Sequence, residues 1–250
     1  MNKYVIFKMF LVFPIMHVIL AYGILTNEYW YLILTLGFLL HYPLHQLGGA
    51  IGYHKLFSHR AFVPKRWFVY LSTFICTVCF FGDPLTYAVL HRIHHKYSDS
   101  ELDPHSPNKG RFHAYIGWMA TYKPKKTDML LGVDLMREYP WMLTFRKIEW
   151  IVPLVVYSLL FAFSPLVFYI VLFAALLSMN SMFVTNAFGH SPLVTGTDKS
   201  VDIKWMGKYV NPIFLHKNHH STSNKYDYGC HGIKDYSVGF IERILTKNTK

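Results

Sequence analysis

Charge is what this chain has least of. Asp, Glu, Lys and Arg make up 16% of its 250 residues, against roughly 25% in an ordinary soluble domain. Hydrophobic residues make up 52%, and the mean hydropathy is +0.22. A soluble domain would have to hide all of this apolar sequence in one core, so that class is set aside. Cysteine is scarce too: Cys76, Cys79 and Cys230 do not make a disulfide framework. The first two lie in an apolar helical stretch and read as packing residues. Acidic residues number 14 against 25 basic ones, a net charge of +11. There is no compact basic domain and no nucleic-acid motif, so no nucleic-acid partner is expected. The excess positive charge suits anionic lipid headgroups, an acidic substrate head group or an acidic electron donor. No secretory cleavage pattern, internal repeat or low-complexity stretch is evident.

Aromatic residues are abundant, with 20 Phe, 18 Tyr and 6 Trp, as suits a lipid-facing surface with interfacial belts. Four apolar segments read as membrane spans: residues 4–26, where Lys8 can snorkel, 29–54, 150–163 and 165–190. A crossing takes about 20 residues of helix, so the third, which also contains Pro153, is marginal. A fifth run, 67–81, is shorter and reads as an interfacial helix. Asn27–Glu28 and Ser164 join apolar segments directly and so make two helical hairpins. All 25 Lys and Arg then fall on the side of the termini, which the positive-inside rule places in the cytoplasm. A crossing by 67–81 would put a bilayer between His54 and His91 and is rejected. The expectation is one domain over residues 1–250: an all-α integral membrane protein, four transmembrane helices in two hairpins, under a cytoplasmic helical cap formed by 55–147 and 191–250.

Nine histidines fall in patterns that suit metal ligation: His54-x4-His59, His91-x2-His94-His95, His190, and His216-x2-His219-His220. The spacing H-x-x-H-H occurs twice, 125 residues apart. Positions i, i+3 and i+4 share one helix face. Adjacent histidines at the end of such a set can serve two metals, one ligand to each. His54 ends the second span, and His59 is expected to fold back past a turn. His190 ends the fourth span with Asn186 one turn earlier, placed to hold a metal-bound water. Nine imidazoles are too many for one metal and suit two, with four or five each. The Glu-x-x-His pattern of soluble di-iron bundles is missing. An all-nitrogen, oxygen-activating di-iron site is the expectation, with zinc the alternative on ligand type alone and a possible occupant in an overexpressed sample.

The stretches Gly52-Tyr-His-Lys-Leu-Phe-Ser-His-Arg60, His91-Arg-Ile-His-His-Lys-Tyr-Ser98 with Asp103-Pro-His105, Asn186-x3-His190 and His216-Lys-Asn-His-His220 resemble the membrane fatty-acid desaturases of the stearoyl-CoA Δ9 type. The resemblance covers about residues 29–228. It implies a four-helix stem under a cap containing two irons, with the nine histidines as ligands and Asn186 acting through water. It also implies a reaction that uses dioxygen and two electrons to place a cis double bond in a saturated acyl chain. The electrons would come from an external ferredoxin or cytochrome b5 type of donor, because no such domain is fused here. The chain departs from the family at Asn211-Pro-Ile-Phe-Leu-His216-Lys, where Gly-Glu-x-aromatic-His-Asn is usual. Coenzyme A, acyl carrier protein and a glycerolipid all remain open as the acyl carrier.

Further residues carry weaker expectations. Arg60, Arg92 and Lys96 are cations beside ligands and are candidates to hold a substrate head group. Counting about eight residues of helix back from His54, plus the reach of the histidine side chain, gives the region 38–46, where Phe38 and Tyr42 are candidates for the floor of an acyl tunnel. Asp99 and Asp103 are placed to orient ligand imidazoles. His105 matches the motif but is not expected to ligate. His41 and His45 read as interhelical hydrogen-bonding groups, while His17, His113 and His231 carry no signal. Two other functions fit parts of the pattern. A lipid or alkane hydroxylase would use the same centre. A metal or haem transporter would line ionisable residues through the membrane, whereas here the clusters sit at one face.

Overall fold

The protein is described here by a computed structural model covering residues 11–246 apart from Lys123, Pro192 and Thr197. The start of the first expected span (4–10), Lys123 of the cap and the tail past Thr246 lie outside the described residues. Among the described residues the regular elements are helical, and extended pairing is confined to isolated bridges such as His190–Ser200 and Asp202–Leu215.

Helix α1 (Phe13–Thr26) turns at Asn27, whose Oδ1 accepts the Tyr29 N–H at 2.9 Å, into α2 (Trp30–Leu44). A second hairpin joins α6 (Ile151–Phe163) to α7 (Pro165–Phe188). Ser164 caps α7 by accepting the Val167 N–H, and Pro165 occupies a first-turn position where its missing N–H costs nothing. Both expected hairpin loops are therefore present. Helix α7 by itself is long and apolar enough to cross a bilayer, while α1 and α6 are shorter apolar helices. The outer faces of α1, α2 and α6 carry Val18, Leu25, Leu39, Leu159 and Phe163, all exposed, a surface that water does not favour.

The second span is not the regular helix expected. From His45 to Ser58 the chain continues from α2 as a wider π-wound helix. Pro43 removes one backbone donor at the junction, and Gly48, Gly49 and Gly52 weaken the preference for tight α turns. Helix α3 (Arg66–Val78) packs across this segment where glycine is needed. A Cβ at Gly48 would lie 2.7 Å from Ile75 Cγ2, and one at Gly52 2.5 Å from Ser72 Cβ. Helix α3 buries Phe68, Val69 and Cys76 on one side and exposes Trp67, Tyr70, Leu71 and Phe74 on the other. Cys76 and Cys79 are buried packing residues, as expected.

Two large apolar cores result, beside a small third one of Met182, Ile213 and Phe214. Leu20, Ile33, Tyr157, Phe168, Leu172 and Met179 hold the hairpins together. Tyr53, Phe57, Phe68, Leu85, Ile93 and Leu135 bind the π segment to α3, α4 (Pro84–Tyr97) and α5 (Val133–Glu138). Histidine-bearing elements sit at this second core.

Candidate metal centre

The π winding explains the spacing of the first histidine pair. Its backbone bonds run from residue i+5 to i, and the His59 N–H reaches the His54 carbonyl at 3.2 Å. Residues five apart then share a face, and the two rings stand 4.9 Å apart. No fold-back past a turn is required. Helix α4 starts at Asp83, whose Oδ1 accepts the Thr86 N–H at 2.8 Å, followed by Pro84. His91, His94 and His95 lie on its inner face. His190 follows the end of α7, and α8 (His216–Ser221) carries the last three.

The nine imidazoles sort into two groups. His54, His59, His91, His95 and His219 have ligand atoms within 4.8 Å of one another, and so have His94, His190, His216 and His220. Each pair of adjacent histidines is divided, His94 from His95 and His219 from His220, as the helical spacing predicts.

The donor atoms fit a cation in each group and fit poorly without one. Each neutral imidazole nitrogen carries either a proton or a lone pair. His190 Nδ1 donates to Asp99 Oδ2 at 2.8 Å, and His220 Nδ1 lies 3.3 Å from Asp198 Oδ2. With Nδ1 protonated, both Nε2 atoms hold lone pairs. Yet both face His216 Nε2, at 3.1 and 3.2 Å, and His220 Nε2 is also 3.2 Å from His94 Nε2. One proton on His216 cannot satisfy every lone pair, whereas a positive ion among them can. In the other group the Nε2 contacts run His59–His91 at 2.8 Å, His91–His95 at 3.1 Å, His95–His219 at 2.9 Å and His219–His54 at 3.1 Å. Four such contacts need more protons than alternating donors can supply.

The surroundings of the two groups differ. Asp103 lies 3.0 Å from His94 Nδ1, so three carboxylates back the four-histidine group. Among the described residues, the five-histidine group is backed by the Tyr228 hydroxyl, 3.4 Å from His54 Nδ1. His216 Nδ1 and His219 Nδ1 are buried with no hydrogen-bond partner among the described residues. Burial pushes His59 down to about 3 and holds His91, His94, His95, His216, His219 and His220 below the ordinary imidazole range, with neighbouring rings adding to it. For Asp99 burial works upward, but bonds from His190 and the Lys199 N–H outweigh it and lower the carboxyl. The bond from His220 holds Asp198 low, whereas burial raises Asp103 to about 7.

The other expected residues are placed as follows. Asn186 is half-buried in the last turn of α7. Arg60 pairs with Glu138 and approaches Asp134, and its side chain stays partly open. Arg60 lines an open cavity of about 360 Å³ with Ser58, His59, Arg92, His95 and Asp134 at the edge of the five-histidine group. Lys96 is exposed, its amine over the Tyr97 ring. His41 meets Ser181 at 3.2 Å and His45 meets Ser178 at 3.4 Å, the interhelical bonds expected of them. His105 lies against His94, 4.2 Å between ring centres with the planes tilted by 36°.

Two expectations need correction. Arg92 has no donor left for a head group. Its five N–H bonds go to the carbonyls of Ser58, Phe57 and Leu131 and to both oxygens of Asp134. The end of the π segment exposes carbonyls that need partners, and Arg92 supplies them. Phe38 and Tyr42 face outward, 62% and 50% exposed. Gly37, His41 and His45 form the buried face instead. Sequence reasoning missed Asp198 and Tyr228, which lie in irregular segments with no periodicity. It also missed the buried Lys55–Asp235 pair, 2.5 Å apart, which ties the π segment to residues beyond α8.

Comparison with known proteins bears on the same residues. The family model described as "Fatty acid desaturase" matches residues 28–222. A sn-1 stearoyl-lipid 9-desaturase of Anabaena variabilis is 26% identical over 89% of this chain and 83% of its own length. A Delta-9 acyl-lipid desaturase of Arabidopsis thaliana is 34% identical over 40% of this chain and 34% of its own. An acyl-CoA Delta(11) desaturase of Trichoplusia ni is 29% identical over 74% of this chain and 57% of its own.

Proposed function

The chain belongs to the fatty acid desaturase family, a family of oxidoreductases, and we propose that it is an oxygen-dependent acyl desaturase working at a centre of two irons. Its substrate is a saturated fatty acyl chain, and its product carries a cis double bond at a Δ9-like position. The observation that carries this reading is the sorting of nine imidazoles into groups of five and four whose nitrogens converge. Bound irons supply the activation of dioxygen and the removal of hydrogen from two adjacent methylenes, chemistry that side chains lack.

The chain's own residues hold and aim that centre. His54, His59, His91, His95 and His219 bind one ion. His94, His190, His216 and His220 bind the other, with Asn186 acting through water. Asp99, Asp103 and Asp198 accept Nδ1 protons and keep Nε2 lone pairs directed inward. Burial keeps the imidazoles neutral and ready to ligate. Arg60 lines the open cavity, and it and the exposed Lys96 would hold a polar head group or its phosphate. Two hairpins form a four-span stem, with 55–147 and 191–250 on the cytoplasmic side, where an external ferredoxin or cytochrome b5 type of donor delivers electrons. The similar proteins are named for acyl-lipid and acyl-CoA substrates, so the acyl group is assigned here and the carrier is not.

The test is lipid analysis of cells expressing the chain. New monounsaturated acyl chains are expected with air, and none without oxygen or with His94→Ala. Hydroxylated products, or double bonds formed without oxygen, would overturn the reading.

A further inference from the structure

Outside the histidine centre, Asp202, Cys230 and His231 come together beside α8. Each offers one ligand atom, and those atoms lie within 4.8 Å of one another. Two distant segments build the group. Asp202 bridges to Leu215, just before α8, and its Oδ1 accepts the Asn218 N–H at 3.1 Å. Its Oδ2 lies 2.9 Å from His231 Nε2. Cys230 and His231 begin a tight turn closed by the Ile233 N–H on the Cys230 carbonyl at 2.8 Å. Both central residues have positive φ, 53° at His231 and 75° at Gly232. Such a turn takes glycine easily at its second central position, and histidine is among the few other residues that tolerate positive φ at the first. Here it sets the imidazole against Asp202 and beside the thiol.

We propose that Asp202, Cys230 and His231 form a third metal site, mononuclear and separate from the histidine centre, which takes zinc with water as the fourth ligand. Thiolate, imidazole and carboxylate are the donors zinc prefers, in tetrahedral sets. The His231 side chain is 46% exposed and that of Asp202 10%, so solvent reaches the remaining position. Burial and the Asp202 carboxylate push the Cys230 thiol up. Zinc binding therefore releases one proton to solvent, and the zinc ion balances the charges of one thiolate and one carboxylate. The site fastens the Cys230–Ile233 turn to the segment that carries His216, His219 and His220, because Asp202 already bonds the backbone between them.

Cobalt(II) titrated into the detergent-solubilised, full-length, iron-loaded protein tests this. Thiolate-to-cobalt charge transfer in the near ultraviolet is expected, saturating at one cobalt per chain and displaced by zinc. Cys230→Ser should abolish it and His231→Ala should weaken it, with iron content and melting temperature unchanged in both. No such band, or one that survives in Cys230→Ser, would overturn the site. A nitrogen-ligated centre gives no thiolate band and Cys230→Ser retains Cys76 and Cys79, so the result is independent of what the histidine centre binds.

Discussion

A buried imidazole needs an acceptor for its Nδ1 proton, and for His190 that acceptor is Asp99. Asn at this position keeps the size but loses the charge and can present the wrong end of its amide. Asp99→Asn should weaken metal binding in the four-histidine group by about 10–100-fold. Elemental analysis should then find iron falling from near two toward one per chain. Arg92 makes a different prediction. Lysine is a point charge with three donors and cannot cover three carbonyls and a carboxylate. Arg92→Lys should cost about 2–3 kcal/mol of stability, read by denaturant unfolding in detergent, with the KM for acyl substrate unchanged. A raised KM at unchanged stability would instead restore the head-group role first expected of Arg92.

At the scale of elements, α4 and α8 were legible because H-x-x-H-H is an α-helical register. The π segment was not. His54 and His59 five residues apart suggested a break, since in an α-helix they would diverge. The wider winding that aligns them depends on contacts with α3, which single-residue preferences do not report. Those contacts can be tested at Gly52, where a Cβ would meet Ser72 and, at 2.8 Å, the Leu47 carbonyl. Gly52→Ala should destabilise the protein by about 1–3 kcal/mol and lower metal content by displacing His54. Gly239→Ala, where a Cβ meets nothing within 4 Å, is the control and should leave both unchanged.

At the scale of the whole molecule, concentrating so many imidazoles in one interior links stability to pH. His59 sits at about 3 in the folded protein, and the other ligands named above are lowered by burial. Unfolded histidines titrate near 6.5. Below that pH the unfolded chain binds protons that the folded chain refuses, so stability is full above 6.5 and declines as pH falls toward the folded values. Metal-free protein should melt at a lower temperature at about pH 5.5 than at about pH 7.5. Added iron should widen the difference, because protons compete for the same nitrogens. Equal melting temperatures would mean that the imidazoles are protonated alike in both states.

Sequence alone determined the histidine clusters, the two helical registers, the hairpin loops and the apolar, all-helical character, because each is local and periodic. Tertiary structure decided how the nine histidines divide into five and four, which carboxylates stand behind them, and that Arg92 serves backbone carbonyls. It also turned Phe38 and Tyr42 outward and brought Cys230 and His231 to Asp202. The physical reason is shared. Helix periodicity says which residues lie on one face, but the partner of that face is chosen by packing between segments far apart in the chain.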